Sequence, residues 1–137
     1  MLAVHHDAVG DLRLIRQQSP EAYGPLVALI QQLRADPALQ ARLHDIDVDN
    51  SDRSGALGVK PWHSMRAAAD RKPVYRLRAW DLERQGLRYR LIYIYRWKDQ
   101  SFNILAVVAR AELDYDNPEH PIRQRILATI RHDFADA

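Results

Sequence analysis

Cysteine is absent from the 137 residues, which excludes disulfides, thiolate zinc sites, iron–sulfur clusters and cysteine nucleophiles. Nothing therefore asks for an oxidising compartment, and the cytosol is the default expectation. No run approaches the roughly 20 apolar residues of a membrane span. The opening Met1-Leu2-Ala3-Val4-His5-His6-Asp7 has no basic region followed by an apolar stretch, so no secretory leader is expected. Internal repeats and low-complexity tracts are also lacking. What remains is 47% hydrophobic and 28% charged, the make-up of one compact domain that can bury roughly two-thirds of its extended surface.

Net charge is only +2, yet it is unevenly spread. Residues 71–98 hold nine Lys/Arg against Asp81 and Glu83, a local +7 that leaves −5 elsewhere. A near-neutral body carrying one basic strip is the pattern of a polyanion binder.

Leu2 and Val4 suit a short first strand. Val9, Leu12 and Ile15 recur at helical spacing over Ala8 to Gln17, and Ser19-Pro20 reads as a cap with proline at the first helical position. The second helix runs through Tyr23, Leu26, Val27, Ile30 and Leu33 to about Ala35, where Asp36-Pro37 repeats the signal before a short third helix over Ala38 to His44. Residues 45–58 are acidic and turn-forming, opening a loop expected to reach about residue 72. The alternating Asp45, Asp47 and Asp49 do not make a calcium loop, since Asn50 stands at its sixth position and Ala56 at its twelfth. Three strand-like runs follow, Val74–Asp81, Leu87–Trp97 and Phe102–Arg110, as an antiparallel meander. A closing helix is expected over about 118–134, with Ile122, Ile126, Leu127 and Ile130 on its buried side. The predicted fold class is α+β. It comprises a single domain over 1–137, a small antiparallel-dominated sheet of about four strands, two N-terminal helices on one face and a C-terminal helix.

Side chains alternate across a strand, so Arg76 and Arg78 share one face while Tyr75, Leu77 and Ala79 share the other. Arg88 and Arg90 share a face in the next run, and Arg110 ends the last on the side of Ile104, Ala106 and Val108. Five arginines are thus expected on one sheet surface. The first two helices cover the opposite, apolar surface, and the closing helix covers the Ile92, Ile94, Ile104 end of the arginine face. The guanidiniums repel one another, so the arrangement is tolerable where an anion resides, and arginine's planar ionised fork matches phosphate. Trp80, on the parity of Arg76 and Arg78, is a candidate for stacking on a base. Trp62 and Trp97 are read as core or rim residues. His5, His6, His44 and His132 find no partner at ligand spacing and are read as caps, surface or packing residues.

The order helix, helix, Val74-Tyr75-Arg76-Leu77-Arg78, Leu87-Arg88-Tyr89-Arg90-Leu91-Ile92-Tyr93, then Ile104 to Arg110 followed by Tyr115, resembles the RelE/ParE superfamily of bacterial type II toxin–antitoxin toxins over roughly residues 2–115. The resemblance implies a small ribonuclease that cuts messenger RNA on the ribosome in the bacterial cytoplasm, needs neither metal nor cofactor, and is silenced by a cognate protein antitoxin. It places Arg90 as the phosphate-binding arginine, Arg110 as the one stabilising charge at the scissile group, and Tyr115 as the catalytic tyrosine. Arg76 and Arg78 fall on basic positions of the preceding strand. With Arg88 and Trp80 they form the expected substrate-binding set.

Metal-free RNA cleavage uses the substrate's 2′-hydroxyl as nucleophile, so a base must take its proton and an acid must protonate the leaving 5′-oxygen. Tyr115 is the expected base, its phenol made more acidic by Arg76, Arg78 and Arg110. His120 or His63 is an easier proton donor than an arginine. Two alternatives stand beside this: a ParE-like toxin that inhibits DNA gyrase, and a non-catalytic nucleic-acid-binding module. None involves a membrane.

Overall fold

A computed structural model describes residues 1–46 and 57–137. The calcium-loop reading falls mostly on residues 47–56, outside the described residues. The first strand, β1 (Leu2–Val4), leads into helix α1 (His6–Gln18), which is capped by His5 Nδ1 accepting the Asp7 N–H at 3.1 Å. Helix α2 (Pro20–Ala35) follows at once; proline sits at its start, while Ser19 makes no side-chain capping bond. Asp36 does cap α3 (Pro37–Ala41), its Oδ1 accepting from the N–H groups of Ala38 and Leu39, and a 3₁₀ turn over Arg42–His44 ends this half.

The second half comprises β2 (Leu57–Pro61), α4 (His63–Ala68), β3 (Val74–Ala79), α5 (Trp80–Arg84), β4 (Tyr89–Arg96), β5 (Ser101–Ala109), a 3₁₀ turn at Arg110–Glu112 and α6 (Pro121–Asp133). The α+β class holds. The described strands form one mixed five-stranded sheet in the order β1-β5-β4-β3-β2, with β1 parallel to β5 and every other pair antiparallel. The loop expected to reach residue 72 instead contains β2 and α4. Leu57-Gly58-Val59-Lys60-Pro61 lacks a strand-like composition, but an edge position tolerates its terminal proline, and pairing with β3 supplies what propensity does not. The run from Val74 stops at Ala79, where Trp80 opens α5, and α6 begins at Pro121, three residues later than expected. No helix among the described residues is long and apolar enough to cross a membrane.

One sheet face packs on α1 and α2 through Leu26, Ile30, Leu33, Leu77, Leu91 and Tyr93. The other packs on α4 and α6 through Met65, Val74, Ile92, Ile94, Ile126 and Ile130. Ile104 was expected on this second face, and the structure corrects it. Ile92 pairs with Ala106 but Tyr93 pairs with Ile104, so Leu105 is an extra residue in β5. Such a bulge exchanges the faces of everything before it relative to everything after. Ile104 therefore joins the α1/α2 core, whereas Leu105, Ala106 and Val108 face α6.

Candidate functional site

The second face is only partly covered. Beyond the end of the α6 contact lies a cavity of about 450 Å³. Alternation along β3 brings Arg76 and Arg78 to it, and the β2 register sets Lys60 opposite Arg76 and Gly58 opposite Arg78. Arg90 arrives from β4 and Arg110 from the turn after β5. The return segment contributes Leu113 to Asp116, and the start of α4 contributes His63 and Ser64. Five cations thus face two carboxylates, Asp114 and Asp116, across the lining.

Each arginine is held differently. Arg90 is 7% exposed, pairs through Nη1 with the half-buried Glu83 of α5, and donates to the Tyr89 carbonyl at 3.0 Å. Arg76 lies over the Tyr115 ring, 4.5 Å from its centroid. Arg78 lies over the Trp80 indole at 4.9 Å. A Cβ at position 58 would stand 3.1 Å from Arg78 Cγ, so glycine there leaves room for the guanidinium stem. Among the described residues neither Arg76 nor Arg110 has a carboxylate within 4 Å. Burial lowers the Arg78 pKa below the ordinary arginine value; nearby Arg90 lowers it further, Glu83 opposes this, and Arg76 and Arg110 add to the repulsion. The cavity is a place where positive charge is crowded and an anion lowers the energy.

Tyr115 departs from expectation. Its ring meets Trp62 edge to face at 5.1 Å, and its hydroxyl is sealed from solvent without a hydrogen bond of normal geometry. Burial pushes its pKa up, and the charges of Arg76, Arg90 and Arg78 pull it down without prevailing. The arginines therefore do not turn this phenol into a ready base. Its backbone is fixed more firmly than its hydroxyl: the Tyr115 carbonyl accepts from Trp62 Nε1 at 3.1 Å, Ser64 Oγ at 3.0 Å and Arg123 Nη1 at 2.8 Å.

Arg76, Arg78, Arg90, Arg110, Tyr115 and His63 are brought together on the cavity lining. Three other expected residues are not. Arg88 precedes β4 with an exposed side chain, and its role is to offer its carbonyl to the Arg110 N–H at 2.8 Å. His120 caps α6, Nδ1 accepting the Ile122 N–H at 3.2 Å. Trp80 opens a helix, so strand parity does not govern it, and its buried indole stands behind Gly58 and Arg78. Lys60, Glu83, Ser64 and Arg123 went unread because their roles come from β2, α5, α4 and α6 meeting in space. The one local signal was Gly58 two residues before a lysine.

No protein-family model, curated protein or solved structure matches this chain.

Proposed function

We propose that this chain is a RelE/ParE-like toxin of a type II toxin–antitoxin module, an endoribonuclease that cleaves messenger RNA through the 2′-hydroxyl adjoining the scissile phosphate. One observation carries the reading: Arg76, Arg78, Arg90, Arg110 and Lys60 line a single cavity beside Tyr115 and His63. The helix pair packed on one face of the sheet supports the same relationship.

In this mechanism the 2′-oxygen bonds to phosphorus while the P–O5′ bond breaks. Arg90 and Arg110 hold the charge that builds on the phosphorus centre, and Arg76, Arg78 and Lys60 hold flanking phosphates. Tyr115, kept neutral by burial with its hydroxyl sealed, backs the Arg76 guanidinium through its ring in place of acting as the base expected from sequence. His63, the imidazole on the lining, moves the proton. A cognate antitoxin rich in acidic side chains would silence the enzyme by covering the cavity.

The test is cleavage of a defined transcript, with and without ribosomes, by wild type and by Arg110→Ala and His63→Ala, each checked for folding by circular dichroism. His63→Ala is expected to slow cleavage about 10²–10⁴-fold while RNA binding persists. Growth arrest that survives Arg110→Ala, with no transcript cut by wild type, would favour gyrase inhibition. Undiminished RNA binding in the absence of any cleavage would favour a plain binding module.

A further inference from the structure

A second constellation lies at the other end of α6, where that helix crosses the start of α1. His5, His6 and Asp7 each present one ligand atom within 4.8 Å of the others. Nothing in the sequence spacing alone made these residues a site. What the fold adds is a supporting shell from α6. His5 Nε2 donates to Asp133 Oδ2 at 2.7 Å, and Thr129 Oγ1 donates to Asp7 Oδ2 at 2.8 Å. Asp133 is in turn bonded through its other oxygen to His132.

The tautomer of His5 follows from these bonds. With the ring proton on Nε2, Nδ1 is a bare acceptor, consistent with the N–H it receives from Asp7. His5 Nδ1 stands 3.6 Å from Asp7 Oδ2, and His6 Nε2 stands 3.3 Å from Asp7 Oδ1. Ligands bound at about 2.0 Å in a tetrahedral shell sit roughly 3.3 Å apart, close to both separations. A carboxylate holding the far nitrogen of a ligating imidazole is also the usual outer arrangement of such sites. The positive end of α1 works against a cation, but the negative end of α6, which bears Asp133, works for it.

We propose that His5 Nδ1, His6 Nε2 and the Asp7 carboxylate bind one divalent transition-metal ion, with Asp133 and Thr129 orienting the ligands, so that the metal ties the first helix to the last. Two imidazoles and one carboxylate select a zinc-like ion over magnesium, which favours an all-oxygen shell. The metal displaces the capping bond from the Asp7 N–H and leaves a fourth position for water.

The experiment is a zinc titration of tag-free, chelator-stripped full chain, read by calorimetry and by thermal unfolding, with magnesium in parallel and cobalt(II) absorption as the geometric probe. Expected are one zinc per chain, an unfolding midpoint raised by about 3 °C or more at saturation, and cobalt bands of tetrahedral strength. His6→Ala, at a side chain 81% exposed and so harmless to folding, should weaken binding at least about tenfold, and Asp133→Asn about 10–100-fold. The metal-free midpoint of each variant separates a lost ligand from a damaged fold. Zinc binding that is unsaturable, equally tight in His6→Ala, or matched by magnesium overturns the proposal.

Discussion

Arg90 and Arg110 stand on the same wall but carry different structural duties. Removing the Arg90 side chain leaves Glu83 partly buried without its counter-ion, so Arg90→Ala is expected to cost about 2–3 kcal/mol in denaturant unfolding. Arg110 is exposed and pairs with no carboxylate among the described residues, so Arg110→Ala should change stability by less than about 0.5 kcal/mol. RNA cleavage by both variants should collapse, and Arg110→Ala gives the cleaner measure of chemistry. Tyr93 makes a purely structural counterpart. Its hydroxyl donates to the Leu43 carbonyl at 2.6 Å, and burial holds its pKa far above the usual phenol range. Below about pH 10 the phenol is neutral in folded and unfolded chains alike, so its contribution is fully present. Above that pH the unfolded chain releases the proton and the folded chain does not, and stability falls as pH rises. Tyr93→Phe should therefore lose about 1 kcal/mol at pH 7 and show a shallower decline in alkaline unfolding curves.

Among elements, α6 is held by polar ties as much as by its apolar stripe. Asp11 of α1 receives both Nη atoms of Arg125 at 2.8 Å and the Val107 N–H at 3.0 Å, so one carboxylate joins α1, α6 and β5. Asp11→Ala strands a part-buried guanidinium and a strand N–H, and should lower unfolding free energy by about 2 kcal/mol. Arg123, nine-tenths buried on the same helix, bonds Ser64 and the Tyr115 carbonyl, which sets the back wall of the cavity. Strand β5 shows how one inserted residue redistributes faces. The alternation Ile104, Ala106, Val108 reads as one surface, and only the pairing with β4 reveals that Leu105 breaks it. Arg110 keeps its expected side because it lies beyond the bulge.

For the molecule as a whole, Arg76, Arg78 and Arg90 of the basic strip over residues 71–98 join Lys60 and Arg110 in one crowded wall of charge. Anions should relieve it. Sulfate at tens of millimolar is expected to raise the unfolding midpoint by about 3 °C beyond sodium chloride of equal ionic strength. Arg78→Ala and Arg110→Ala should lose that response in differential scanning fluorimetry. RNA affinity should fall steeply with salt, and each cavity cation removed should reduce the slope by about one phosphate equivalent.

Period and punctuation in the chain were enough to determine the two N-terminal helices, the three long strands, the closing helix and the common parity of Arg76, Arg78 and Arg90. These depend on neighbours a few residues away, and alternation in a regular strand is a local property. Tertiary structure alone decided the edge strand β2, the bulge at Leu105, and the pairing of Arg90 with Glu83. It also decided the upward shift of Tyr115 and the meeting of His5 with Asp133. Each of those depends on which distant segment fills the space beside a residue, because pairing, desolvation and charge proximity act through space and leave no mark on local sequence.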